Sequence, residues 1–93
     1  MCANTLTFTL LIQNKKGLHA RAASLFVKEA DKFLSTVWVE KDKQKVSGRS
    51  IMGLMMLAAA KGTEITVTVE GTDAQRMKQA LTNLVNDKFY EKE

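Results

Sequence analysis

The chain has no proline, one cysteine, one histidine, one tryptophan and one tyrosine among its 93 residues. Each scarcity excludes something. Without proline, the five glycines must supply most of the punctuation. A lone cysteine, Cys2, cannot close an internal disulfide. With no secretory signal in view, it points to a reducing, cytoplasmic setting. Cys2 has no neighbour that would make it a nucleophile and reads as a spectator. One histidine and one cysteine cannot supply paired ligand spacing, so no metal is expected and no cofactor is implied. Long hydrophobic runs are missing too. Leu6 to Ile12 is apolar-rich, but it is short, alternates with threonine and lacks a basic flank. It reads as a strand rather than an export signal or a membrane insertion. No run of five like charges occurs. The net charge of +4 and pI near 9.4 therefore describe mainly a solvated surface.

What is present is ordinary for a globular chain: 45% hydrophobic and 26% charged residues. A chain this short makes one domain, taken as residues 1–93, with a modest core.

Leu6, Phe8, Leu10 and Ile12 alternate with Thr5, Thr7, Thr9 and Leu11, the period of a half-buried strand. Gln13 to Gly17 is a polar turn. From His19 to Phe33, Ala23, Phe26, Val27, Ala30 and Phe33 recur at three and four, one face of a helix. Val37 and Val39 mark a second strand, and Lys41 to Lys45 a charged turn into a short third strand at Val46. Ser50 to Ala60 reads as a second helix, capped by Ser50 and closed by Gly62. Ile65, Val67 and Val69 alternate in a fourth strand. After Gly71, Thr72 or Asp73 caps a last helix with the stripe Met77, Ala80, Leu81, Leu84, Val85 and Phe89. The order β-α-β-β-α-β-α implies an α+β fold: a four-stranded, mainly antiparallel sheet with its helices on one side.

A solitary histidine is usually an unremarkable residue. Here its place changes the odds, because His19 follows Gly17-Leu18 directly before a helix. Helix N-termini carry unpaired N–H groups and partial positive charge, so they bind anions, phosphate above all. The same field favours a neutral, nucleophilic imidazole. Arg21, in the first turn, is poorly placed for the helix but well placed as a guanidinium fork over phosphate oxygens. Together they form a candidate phosphoryl-accepting site: His19 and Arg21 for the chemistry, Arg21 and the backbone at Ala20 for the phosphate.

Ser50 is a second candidate. A helix cap would explain it, but phosphorylation there would add nearly two negative charges and repel a docking partner. The following helix is apolar nearly all round, with Ile51, Leu54 and Ala58 on one face and Met52, Met55, Met56 and Ala59 on another. A small domain has little room to bury both. The methionines Met52, Met55 and Met56 are therefore expected to form an adaptable partner-binding face.

Two segments carry a resemblance. Asn14-Lys15-Lys16-Gly17-Leu18-His19-Ala20-Arg21-Ala22-Ala23 resembles the active-site motif of HPr, the histidine phosphocarrier family of the bacterial phosphoenolpyruvate-dependent phosphotransferase system. Gly48-Arg49-Ser50-Ile51-Met52-Gly53-Leu54-Met55-Met56-Leu57 resembles its serine-centred motif, and Lys61 through Gly71 also fits. The resemblance implies an open-faced β-sandwich. It implies a phosphoryl group accepted on the δ nitrogen of His19 from enzyme I and donated to a IIA protein or domain, with Arg21 assisting. Ser50 corresponds to a serine modified by a dedicated kinase in some bacteria, and family members are usually monomers. Ala22 stands where many sugar-branch members have proline. With Leu57-Ala58-Ala59-Ala60-Lys61-Gly62, it looks more like the nitrogen-related branch, NPr. Arg49 stands where lysine is common.

Other readings fare worse. A regulatory phosphoprotein of the same fold, acting by binding according to His19 or Ser50 phosphorylation, is the nearest rival. An RNA-binding sheet wants aromatics on central strands. Val46-Ser47-Gly48-Arg49 supplies none, and Trp38 and Tyr90 stand apart, so no nucleic-acid partner is expected. A self-sufficient hydrolase would need an acid or base that the sequence does not place beside His19.

Overall fold

Alternation of valine and isoleucine with threonine builds the centre of the molecule. The computed structural model describes residues 4–92, so Cys2 lies outside the described residues. Its elements are β1 (Asn4–Leu11), α1 (Ala20–Ala30), β2 (Thr36–Lys41), β3 (Gln44–Ser47), α2 (Ile51–Met56), β4 (Glu64–Gly71) and α3 (Ala74–Asn86). The strands form one antiparallel sheet in the order β1-β4-β2-β3. Register follows the apolar pattern. Phe8 and Val39 both face Val67, and Leu6 and Val37 both face Val69. Val67 and Val69 of the central strand β4 are thereby buried between two apolar neighbours each, and Ile65 is buried beside Leu10.

That face carries the helices. Ala22, Ala23, Phe26 and Ala30 of α1 and Met77, Leu81, Leu84 and Val85 of α3 join the buried valines in a single core. Leu54 is the residue α2 contributes. The other sheet face is open, with Thr5, Thr7, Thr9 and Glu40 exposed. Trp38, 43% exposed, stands on it with the Lys45 ammonium 5.4 Å from its ring. Among the described residues no helix is long and apolar enough to cross a membrane.

Four local expectations need correction. Helix α1 stops at Ala30 rather than Phe33, and its last carbonyls are taken by a turn and by Arg49. Helix α2 stops at Met56 rather than Ala60. Ala58 adopts a left-handed φ of 51°, and the chain leaves the helix axis so that Ala59 becomes buried. The two apolar faces therefore resolve differently: Leu54, Leu57 and Ala59 are buried, while Ile51 and Ala58 are exposed. Gly62 does not close that helix. Its φ of 89° serves the turn into β4, where its amide bonds Ile12 O. Asp73 occupies the N-cap position of α3 without capping it. Its carboxylate instead accepts from the amides of Leu34 and Ser35 and from the Ser35 hydroxyl.

The last helix is shorter than expected as well: α3 ends at Asn86, and Phe89, expected on its stripe, lies in Lys88–Tyr90, one tight turn in which all three residues have positive φ (56°, 54° and 63°). Left-handed backbone costs roughly 1 kcal/mol or more at each non-glycine position. Phe89, 1% exposed, buries its ring at the centre of that turn and offsets about 2 kcal/mol of it.

Candidate phosphoryl-transfer site

The site begins where β1 ends. Ile12 is held by Thr63 and Gly62 through backbone bonds of 2.9 and 2.7 Å, which fixes the start of the loop. Gly17 has φ +67°, and a Cβ there would fall 2.5 Å from Ala59 O. Only glycine allows this approach. It lets the Leu18 amide donate to Ala59 O at 2.9 Å, while the Leu18 side chain enters the core. His19 then stands at the N-cap of α1 with extended backbone (φ −83°, ψ −177°), and its side chain makes no capping bond. The first amides of α1, including those of Ala20 and Arg21, have no intrahelical acceptor. Arg21 is exposed beside them.

His19, Arg21, Lys15, Lys16, Lys92 and Glu91 line one cleft of about 360 Å³. Four cations against one acid give the cleft an electrostatic preference for an anion. His19 and Arg21 line this cleft together, and Ala20 between them is the first residue of α1.

The structure also adds two groups that sequence reasoning did not single out. Glu91 Oε2 lies 2.5 Å from Nε2 of His19, and Glu91 Oε1 accepts from Asn14 Nδ2 at 3.0 Å. Asn14 is fully buried and also donates to Gly17 O at 2.8 Å, while its Oδ1 has no partner among the described residues. Partial burial pushes the Glu91 carboxyl up. The hydrogen bonds from Asn14 and His19, with the nearby charges of His19 and Lys16, outweigh that and hold it below the ordinary glutamate value. Asn14 was visible as the first residue of the motif. Glu91, in a charged tail beyond the last helix, gave no pattern at all.

Ser50 is the N-cap of α2, and its Oγ accepts from the Gly53 amide at 2.9 Å. Arg49 beside it is turned away from the surface around Ser50. Its guanidinium donates to the carbonyls of Ser35, Ala30 and Phe33 at 2.8, 3.0 and 2.8 Å and pairs with Asp31 at 3.3 Å. It completes the C-terminal end of α1. Met52, Met55 and Met56 are all exposed, alongside Ile51, so α2 presents an apolar surface. Among the described residues no cluster could hold a metal ion.

Comparison with known proteins gives the family. The family model described as "PTS HPr component phosphorylation site" matches residues 6–87. The phosphocarrier protein HPr of Neisseria meningitidis serogroup B is 54% identical over 82 residues, 88% of this chain and 92% of that protein. The HPr-like protein Crh of Bacillus subtilis is 47% identical over 76 residues, 82% of this chain and 89% of that protein. The crystal structure of HPr from Thermoanaerobacter tengcongensis superposes with a TM-score of 0.90 at 45% identity, covering 95% of this chain and 99% of that one. A sequence with this motif, on this fold, belongs to the HPr family of phosphocarrier proteins of the phosphotransferase system.

Proposed function

We propose that the chain carries a phosphoryl group on His19, received from phospho-enzyme I and passed to a IIA protein or domain. The observation that carries this reading is the placement of His19. It holds the N-cap position of α1 without spending its side chain on capping, beside amides that lack intrahelical acceptors and beside the guanidinium of Arg21. Nε2 is engaged by Glu91, so Nδ1 is the reacting nitrogen. The amides of Ala20 and Arg21 and the Arg21 fork receive the phosphate oxygens, and they stabilise charge that builds up during transfer. The exposed Met52, Met55 and Met56 form the docking face for enzyme I and IIA. The chain works as a monomer in the cytoplasm.

A second role is supported by Ser50. Its hydroxyl is half-buried at a helix start next to that docking face, and the relative Crh is an HPr-like protein. A serine kinase and phosphorylase acting there would alter docking by charge. The test is transfer from the phosphorylated chain to purified IIA proteins of the sugar and nitrogen branches. Rapid transfer to one of them assigns the branch. Labelling with transfer to neither favours regulation by binding.

A further inference from the structure

Two observations converge on the end of the chain: a strained left-handed turn, and the carboxylate that follows it lying on the ring that reacts. We propose that Glu91 is a positioning residue for phosphoryl transfer, holding the Nε2 proton of His19 in place so that the lone pair sits on Nδ1 before, during and after the reaction. The inference rests on His19 being the phosphorylated residue.

An ionised carboxylate has no proton to give, so at 2.5 Å the hydrogen between Glu91 Oε2 and His19 belongs to Nε2. The neutral ring then has its free pair on Nδ1. The carboxylate cannot easily turn away, because Oε1 is held by Asn14 Nδ2 and Asn14 by Gly17 O. Its backbone is fixed as well: the Glu91 amide bonds Lys88 O at 2.9 Å, and Phe89 is sealed in the core. Left-handed turns of non-glycine residues persist where the surroundings over-determine them, and they cluster at functional sites. The other charges facing this pair are cations, Lys16 with Lys15, Arg21 and Lys92 around the same cleft. They keep Glu91 ionised, and among the described residues no second acid lines the cleft.

The proton balance gives the arrangement its use. In acceptance, the donor's N–P bond breaks and its electron pair stays on the donor nitrogen, while the Nδ1 lone pair forms the new N–P bond. The His19 ring becomes an imidazolium still carrying Nε2–H. In donation, the acceptor's nucleophile attacks phosphorus, the N–P pair returns to Nδ1, and a neutral ring with Nε2–H is left. His19 need neither gain nor lose a proton in either direction. Were Nε2 to lose its proton in the phosphorylated state, the leaving group would be an imidazolide anion and donation would fail. Glu91 opposes that loss by pairing with the cationic ring.

The test uses the full chain with Glu91→Gln and Glu91→Ala, phosphorylated by enzyme I and phosphoenolpyruvate. Long-range proton–nitrogen correlation reads the ring tautomer. A pH titration reads the midpoint of the phosphorylated ring, and donation to a purified IIA protein is timed across the same pH range. The wild type should show the Nε2–H tautomer. Glu91→Ala should mix the tautomers and lower the phospho-ring midpoint by about one pH unit, so that donation falls about tenfold above that midpoint and matches wild type below it. Glu91→Gln should keep the tautomer, because its amide oxygen still accepts, yet lower the midpoint. Should the amide spectrum show that Glu91→Ala is unfolded, Glu91→Gln decides alone. Folded variants that label on His19 with unaltered tautomer, midpoint and pH profile would overturn the role of Glu91 and leave the carrier reading standing. A wild-type chain that takes no phosphoryl group on His19 would overturn both.

Discussion

The amide of Leu18 donates to the carbonyl of Ala59 across 2.9 Å, tying the residue before His19 to the segment that leaves α2. The bond is possible because Gly17 carries no Cβ and because Ala58 turns left-handed to present Ala59. It makes the loop before His19 and the serine-capped helix a single structural unit. On the proposed function, docking at α2 and chemistry at His19 would be properties of one surface.

Ser50 has two separable jobs. Ser50→Ala removes the acceptor for the Gly53 amide and should cost about 1 kcal/mol in urea unfolding while leaving phosphotransfer nearly unchanged. Ser50→Asp keeps an acceptor but adds charge beside the methionine face, and should raise the KM for enzyme I without a matching loss of stability. An unaltered KM would reduce the serine to a cap.

The methionine face can be tested at its most open point. Met52 is 71% exposed, so Met52→Glu should change stability by no more than about 0.5 kcal/mol. Burying a charge in an apolar contact should nonetheless weaken docking to enzyme I by about 2 kcal/mol, roughly a thirtyfold rise in KM. Identical steady-state kinetics would place the docking surface elsewhere.

Arg49 should behave as a structural residue. Lysine cannot reproduce a fork that reaches three carbonyls and Asp31, so Arg49→Lys should lower unfolding stability by about 2 kcal/mol. Phosphoryl acceptance measured below the unfolding transition should persist.

Asp73 gives the fold an acid-sensitive clasp. The Ser35 hydroxyl first and then the Leu34 amide hold its carboxyl below the ordinary value of 3.8, with the Ser35 amide adding to them against the opposing effect of burial. Because the folded pKa is lowered, the stabilisation is present above the unfolded value and is lost as pH falls through the folded one. Asp73→Asn should therefore be less stable than wild type at neutral pH, and the gap should close in acid. A gap that does not vary with pH would contradict this assignment.

Much of this could be read from the residues. Strict alternation in Ile65, Val67 and Val69 announced β4, and the stripe from Met77 to Val85 announced α3. The placement of His19 between a glycine turn and an apolar stripe marked the candidate site. What escaped has physical causes. The alanines after Leu57 favour helix and carry no stop signal, and α2 ends early where long-range donors meet it: Lys41 Nζ at Leu57 O and the Leu18 amide at Ala59 O. Positive φ at Ala58 and at Lys88–Tyr90 is invisible in residues that rarely adopt it. Asp73 looked like a cap because caps are local, whereas its partners lie about forty residues away in the α1–β2 turn. Glu91 meets His19 across 72 residues of chain, and no spacing rule reaches that far.

The most direct test of the account is intact-mass analysis of the wild-type chain and of His19→Ala after incubation with enzyme I and phosphoenolpyruvate, before and after acid treatment. The account predicts one acid-labile phosphoryl group on the wild type and none on a folded His19→Ala. A label that survives in His19→Ala, or a wild type that stays unmodified, would contradict it.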